Sequence, residues 1–547
     1  MITPERLVET AVAWVEQDPD PDTRAELQTL IDAADLDALA VRFDGRLAFG
    51  TAGLRAALGA GPTRMNRRVV RQTAAGLCRF LGASPRVVVG YDARHKSDAF
   101  ALDTARVVAA MGGRAFVLPG CLPTPVLAFA VRHLGVDAGV MVTASHNPPA
   151  DNGYKVYLGD GAQLVPPSDE AIAAEIDRVA GSPVTVADED DEAITVLDET
   201  IVDAYRSAVV GLSLTPHHRD LAVVYTAMHG VGRDVLRAVF DEAGFAAPVE
   251  VVEQVEPDPD FPTVAFPNPE EPGALDLALA TADAADADIV LANDPDADRL
   301  GVAAAGPDGW VALTGNQIGV LLADHVLRHT SGADRLVVTT VVSSRMLSRL
   351  ADDHGVHYVE TLTGFKWIAR AALDRPDLRL VFGYEEALGY LVGDVVLDKD
   401  GISAALLFAE LAAGLKAEGR TVHDRLDDLA RRHGLHATDQ VSLRLDGPDG
   451  SERIAAIMAA LRSDPPTALG GLAVESTTDL LAGTDLPPSD AVVLDLADDA
   501  RVVVRPSGTE PKLKAYLEVV RPDADQAAAD AAVAAITASL SARFAED

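Results

Sequence analysis

Only two cysteines, Cys78 and Cys121, occur in the 547 residues. They cannot build a disulfide framework, and they read as buried apolar residues of a reducing compartment. No apolar run approaches the roughly 20 residues of a membrane-spanning helix. The opening stretch MITPERLVETAVAWVEQ carries three glutamates and lacks the basic-then-apolar pattern of a secretory signal. A cytoplasmic location is the expectation. Positive charge is also scarce: 46 Lys plus Arg stand against 84 Asp plus Glu, a net charge of −38. Such a surface repels nucleic acid and anionic membranes, so neither is an expected partner. The acid excess serves solubility. A phosphorylated ligand would need a locally positive pocket inside this acidic body.

What is present is material for several cores. Hydrophobic residues make up 48% of the chain, and the length suits roughly three or four domains. Thr3-Pro4 is a good helix start, followed by Leu7, Ala11, Trp14 and Val15 at helical spacing, and a second helix is expected over 25–40. From Arg86 strands and helices alternate: strand 86–91, helix 98–111, strand 115–118, helix 125–134 and a strand ending at Val142. The alternation restarts at 220 (strand 221–225, helix 234–243, strand 249–255). A proline-broken passage over 256–272 precedes helix 274–284 and strand 288–291. It restarts again near 314, with helices 316–329, 345–354 and 367–373 and strands 335–340, 358–360 and 379–382. The last hundred residues differ: strands 492–496, 501–504 and 514–519 follow one another before an alanine-rich helix. The pattern predicts three consecutive α/β domains with mixed, mainly parallel sheets, at 1–212, 213–313 and 314–437, and a C-terminal α+β domain at 438–547.

Four stretches carry chemistry. VTASHNPPADNGYKVY at Val142–Tyr157 puts a hydroxyl, Ser145, beside His146 on a polar loop after an apolar strand. A phosphoryl carrier or a nucleophile would sit there. In the second stretch, Asp294, Asp296 and Asp298 alternate along a loop after another apolar strand, and can converge on one hard cation through oxygen ligands. An EF-hand would need Gly and Glu where Arg299 and Ala305 stand. The third, Arg505-Pro-Ser-Gly-Thr509, offers a forked donor, two hydroxyls and a glycine, which suits either a phosphate clamp or a strand-connecting turn. In the fourth, Glu385-Glu386, adjacent acids on a strand point to opposite sides, so one of them can face a cleft and accept sugar hydroxyls.

Together these stretches resemble the α-D-phosphohexomutase family. TASHNP at Thr143–Pro148, DPDADR at Asp294–Arg299, Glu385–Glu386 and RPSGTEP at Arg505–Pro511 fall in the family's order across nearly the whole chain. FGTAGLR (Phe49–Arg55), RMN (Arg64–Asn66), YTAMHGVG (Tyr225–Gly232) and LTGFKW (Leu362–Trp367) look like the branch with phosphopentomutases, glucose-1,6-bisphosphate synthases and some bacterial phosphoglucomutases.

The resemblance implies four domains around a central cleft. Ser145 would carry the phosphoryl group, and Mg²⁺ would bind Ser145 phosphate with Asp294, Asp296 and Asp298. Arg55, His146, Lys155 and Arg299 would line the reaction centre, with Thr51 beside them. Thr363, Gly364 and Glu385 would contact the sugar, Lys366 would join them, and Lys399 would help to position it. Arg505, Ser507, Gly508 and Thr509 would hold the non-reacting phosphate. Glucose 1,6-bisphosphate would be activator and intermediate, and a monomer or weak homodimer is expected. Lys155 is the first choice for general base, then His146 or Lys366. One position departs from the hexose enzymes: Ala387 stands where they commonly have Ser, as in the phosphopentomutase-like branch. The activity expected is phosphoglucomutase, with phosphopentomutase, phosphomannomutase or glucose-1,6-bisphosphate synthase as alternatives. A serine hydrolase on Ser145 and His146 would lack G-x-S-x-G. A phosphosugar-binding protein without turnover would have no use for an intact Ser145 and three aspartates.

Overall fold

In the computed structural model, which describes residues 3–50, 53–307, 309–445, 449–507 and 512–546, the Thr3 hydroxyl accepts from Arg6 N and Pro4 opens the helix Pro4–Val15. The single helix expected over 25–40 is instead two, Pro21–Asp32 and Leu36–Phe43. Ala34 takes φ 51°, which ends the first, and the Asp35 carboxylate accepts from Ala38 N at 3.0 Å, which starts the second.

The chain forms two compact units, 1–313 with 389–414, and 314–388 with 415–547. The first unit holds two sheets. One runs in the order Leu54–Ala57, Asp151–Leu158, Ala138–Val142, Arg86–Tyr91, Arg114–Cys121, Ile194–Val196. Its last three pairings are parallel and its first two antiparallel. Leu7, Ala11, Trp14, Leu27, Leu39 and Phe43 of the N-terminal helices share the core of this sheet with Val87, Val89, Val140 and Val142. Cys78 is buried in the same core as expected, but Cys121 is exposed, because it ends the strand Arg114–Cys121. The other sheet runs Gly309–Ala312, Leu300–Gly306, Ile289–Asn293, Val223–Thr226, Val249–Glu250. The strand expected over 249–255 stops at Glu250. Gln254 is drawn inward, its side chain taking Thr226 Oγ1 and its carbonyl taking His229 N, so Val252–Gln254 winds into a 3₁₀ turn. No helix or strand is formed among the described residues of 256–272, as the prolines predict.

In the second unit the strands His357–Thr361, Arg335–Thr340 and Arg379–Glu385 pair in parallel in that order. The last continues past 382 and carries Glu385. The C-terminal sheet is antiparallel, ordered Leu435–Arg444, Lys512–Arg521, Ala500–Pro506, Val492–Leu496, Leu472–Asp479, Ala468–Leu469. Helices Gly450–Ser463 and Gln526–Glu546 cover its core. The first strand and the last two of this sheet were not expected from sequence. The fold is nevertheless the expected one: three α/β parts with mixed sheets and a C-terminal α+β part.

A buried cluster ties the C-terminal sheet to the rest of its unit. The Glu518 carboxylate accepts from Ser344 Oγ (2.7 Å), Arg345 N (3.0 Å) and Arg345 Nε (2.6 Å), and lies 2.9 Å from His436 Nδ1. Burial alone would raise its pKa, but His436, Arg345 and Ser344 together hold it down at about 2. A depressed carboxylate stabilises the fold above its ordinary pKa of 4.5, and that contribution is lost as pH falls toward 2. Glu518→Gln should therefore destabilise the protein at pH 7 by about 3 kcal/mol and flatten the loss of melting temperature between pH 4.5 and 2. A variant whose acid profile and neutral-pH melting match the parent's would refute this.

Candidate active site

Strand Ala138–Val142, buried throughout, delivers the Ser145 loop at its carboxyl end, where sheets of this kind build sites. Ser145 is buried and takes φ 51°, a left-handed conformation uncommon for a residue with a Cβ. Its N–H donates to Thr143 Oγ1 at 2.8 Å. The loop is crossed by Arg55, whose Nη1 donates to Asn147 Oδ1 at 3.1 Å, and Asn147 Nδ2 donates to Asp151 Oδ2 at 2.8 Å. The chain then returns as the antiparallel strand Asp151–Leu158, which carries Lys155. The sequence reading missed this strand because it is buried on both faces and shows no alternation of polarity.

The acidic loop is the turn of a hairpin between Ile289–Asn293 and Leu300–Gly306. Ala297 at φ 55° makes the turn tight. Arg299 N donates to Asp294 Oδ1 (3.0 Å) and Asn293 Nδ2 to Arg299 O (2.6 Å). From outside, Val231 N donates to Pro295 O (2.9 Å) and Thr124 N to Asp296 O (2.9 Å). The YTAMHGVG stretch owes its glycine to this packing: a Cβ on Gly230 would lie 2.3 Å from Pro295 Cα.

The two loops meet. Ser145 Oγ donates to Asp294 Oδ2 at 2.6 Å and lies 3.2 Å from His146 Nδ1. Lys155 Nζ donates to Asp296 Oδ2 (2.7 Å) and Asp298 Oδ2 (2.8 Å), and Lys399 Nζ lies 3.4 Å from Asp298 Oδ2. Arg299 Nε is 3.9 Å from Asp298 Oδ1. All three aspartates are fully buried, and one oxygen from each lies within 4.8 Å of the others. Asp294 sits well above the usual carboxylate range, by burial first and then by repulsion from Asp296 and Asp298. Burial pushes Asp296 and Asp298 the same way, but Lys155 outweighs it for Asp296, and Lys155, Lys399 and Arg299 outweigh it for Asp298. Burial, with Arg299 and Arg55 adding to it, holds His146 well below its ordinary pKa, so the ring is neutral.

The donor set suits a hard divalent cation. Asp296 Oδ1 and Asp298 Oδ1 are buried without a hydrogen-bond partner, a cost that a cation bound through oxygen would remove. Thr124 was not foreseen as part of the site. Its Oγ1 donates to Asp296 Oδ2 at 2.6 Å from a fully buried position.

The remaining candidates lie in the second unit. Thr363 and Gly364 form the turn between strand His357–Thr361 and helix Phe365–Leu373, with Gly364 at φ 109°. Lys366 is on the first turn of that helix, its Nζ 5.8 Å from the Trp367 ring centre. The strand ends at Glu385, so the two acids differ in surroundings. Glu386 turns toward Ser343, whose Oγ donates to its Oε2 at 3.2 Å, and Glu385 is the buried end of the strand. Arg505 lies on strand Ala500–Pro506, and Ser507 N donates to Lys512 O at 2.7 Å. Thr51, Gly508 and Thr509 lie outside the described residues. Tyr516 is buried in a core cluster with Val341, Leu362 and Val503; burial and then Glu386 push its phenol up, while Arg505 opposes them.

Comparison with known proteins finds one family in successive segments between residues 46 and 536. Family models described as "Phosphoglucomutase/phosphomannomutase, alpha/beta/alpha domain I", "domain II" and "domain III" match residues 46–181, 203–306 and 314–433. The model of the family's C-terminal domain matches 446–536. A probable phosphomannomutase of Haemophilus influenzae is 46% identical over 462 residues, covering 83% of this chain and 93% of its own. A probable phosphoribomutase of Schizosaccharomyces pombe is 38% identical over 565 residues, 93% of each chain. A phosphoglucomutase of Staphylococcus aureus is 36% identical over 508 residues, 89% of this chain and 92% of its own. Among the described residues no helix is long and apolar enough to cross a membrane.

Proposed function

Because this chain belongs to the phosphoglucomutase/phosphomannomutase family and is therefore an intramolecular phosphotransferase, we propose that it interconverts glucose 1-phosphate and glucose 6-phosphate through a phosphoserine at Ser145. The observation that carries the chemistry is the 2.6 Å contact between Ser145 Oγ and Asp294, inside a buried triad flanked by Lys155 and Lys399.

In the forward step the bond between Ser145 Oγ and phosphorus breaks as a bond forms from phosphorus to a sugar hydroxyl oxygen. The hydroxyl proton leaves for a base. Lys155, the first expectation, donates to Asp296 and Asp298, which keep its ammonium protonated against the pull of burial, so the neutral His146 ring comes first and Lys366 next. The product is glucose 1,6-bisphosphate, which is also the activator that loads Ser145. The bisphosphate turns over, and its other phosphate returns to Ser145 as the proton is given back to the freed sugar oxygen. Such transfers depend on positioning and charge neutralisation. Mg²⁺ held by Asp294, Asp296, Asp298 and an oxygen of phosphorylated Ser145 would neutralise charge on the phosphoryl oxygens. Arg55 and Arg299 would face the reacting phosphate. Thr363, Gly364, Glu385 and Lys399 would hold the sugar, and Arg505 and Ser507 the distal phosphate. The enzyme would act in the cytoplasm as a monomer or weak homodimer.

A second reading, pentose phosphates, is favoured by Ala387 and by the fission-yeast relative's name, probable phosphoribomutase. A coupled assay over glucose, mannose, ribose and deoxyribose 1-phosphates separates the two. We expect kcat/KM for glucose 1-phosphate to lead by about tenfold, the discrimination a few sugar contacts supply. A lead for either pentose would overturn the glucose assignment and leave the phosphoserine chemistry standing.

A further inference from the structure

We propose that Arg94 is a positioning residue for phosphoryl transfer, locking the Ser145 loop in the left-handed turn that aims Oγ at the acidic loop. The inference rests on Ser145 as the phosphoryl carrier.

Arg94 is 4% exposed and spends its guanidinium on main-chain carbonyls. Nη1 donates to Pro148 O (2.9 Å) and Asp151 O (3.2 Å), and Nη2 to Ser145 O and to Asn147 O (2.6 Å). One side chain thus fastens both limbs of the loop. Its charge is met by Asp92, 3.4 Å from Nε and equally buried, and the Phe261 ring lies 4.8 Å from the guanidinium carbon. Asp92 in turn accepts from Thr143 Oγ1 at 2.6 Å, and Thr143 Oγ1 accepts from Ser145 N.

The consequence is specific to Ser145. Its N–H is held through Thr143 and its carbonyl through Arg94, and both holds lead back to the same buried Asp92–Arg94 pair. Fixing the peptide groups on either side of one Cα fixes its φ and ψ, here in a region that L residues avoid. Arginine is required by geometry rather than by charge. A lysine could pair with Asp92, but its three donors on one atom cannot span four carbonyls on two limbs as a planar fork does. Both residues stand in the polar run just past the strand Arg86–Tyr91, and no part of the proposed chemistry otherwise uses them.

The test uses the full chain with Arg94→Lys, Thr143→Val and Ser145→Ala. Each is incubated with glucose 1,6-bisphosphate and Mg²⁺, phosphate uptake is followed by intact mass, and kcat, KM and melting temperature are measured. Arg94→Lys should still take up one phosphate, with kcat lower by about 10²-fold, the usual cost of a small misplacement of a reacting atom, and with KM little changed. Thr143→Val removes only the N–H anchor and should lower kcat in the same way by about tenfold. A merely structural role would lower the melting temperature and leave kcat per folded molecule unchanged. That result in both variants, or a change confined to KM, overturns the proposal. Should Arg94→Lys fail to fold, Thr143→Val alone decides by the same criteria. Phosphate uptake by Ser145→Ala would instead overturn the carrier assignment, a separate failure that the Arg94 data cannot produce.

Discussion

Ser145→Ala is expected to abolish turnover, with kcat lower on the order of 10⁵-fold, about 7 kcal/mol of transition-state stabilisation. The parent protein should gain the mass of one phosphate on incubation with glucose 1,6-bisphosphate, and the variant none. The loss belongs to chemistry and not to folding. The hydroxyl makes one hydrogen bond to an acceptor, Asp294 Oδ2, with His146 Nδ1 at 3.2 Å. Removing it also removes a donor to a carboxylate already raised well above its usual range by burial and by its two acidic neighbours. The melting temperature should therefore stay within a few degrees of the parent's, as for a lost hydrogen bond of about 1 kcal/mol. Retained turnover, or a phosphate that still attaches to the variant, would end the phosphoserine mechanism.

The second large effect concerns the cation. Asp294→Asn should separate stability from metal response. A carboxylate whose folded pKa lies above its ordinary value costs stability at neutral pH, because the fold resists the charge that the unfolded chain accepts freely. Without metal, the neutral amide should therefore melt at or above the parent's temperature. With Mg²⁺ at about 100 times its dissociation constant, the parent should gain about 2.7 kcal/mol, and the variant should gain little. Its kcat should fall by about 10²–10³-fold, as when one preorganised electrostatic contact at a transferring group is lost. Chelation should silence the parent, and Mg²⁺ should restore it. A variant that binds Mg²⁺ as the parent does, or a parent indifferent to chelation, would remove the triad from the mechanism.

The alternation of apolar strands and helices was legible because each α/β part repeats a local pattern. The strand Arg86–Tyr91 and the helix around Asn316–His329 fall where periodicity places them. Two of the strands that sequence missed have different causes. Asp151–Leu158 is buried on both faces and lacks the alternation that marks a half-buried strand. Leu435–Arg444 does alternate, but Asp439 breaks its apolar series and it lies at the edge of its sheet. The helix expected over 25–40 broke because one aspartate, Asp35, caps a new helix more favourably than it continues the old one. The Val249 strand stopped early because Gln254 found partners in Thr226, His229 and Thr263, none of them neighbours in sequence.

The same division runs through the site. The kinds of chemistry were written in adjacent residues. A hydroxyl beside an imidazole and three carboxylates at alternate positions each suggest a chemistry within a few residues, while the arginine-serine-glycine stretch suits a turn as well as a clamp. Their convergence was not so written. Ser145 and Asp294 are 149 positions apart and meet at 2.6 Å; Lys155 reaches Asp296 across 141 positions, and Thr124 reaches it across 172. Nothing in the sequence marks Arg94, Asp92 or Thr124; their partners lie 51 to 172 positions away and are brought to them by the strand order. Short-range chemistry depends on composition within a few residues, so one sequence determines it. Which loops share a cavity depends on sheet order and register, which are set by the packing of whole elements, and only the tertiary structure decided that.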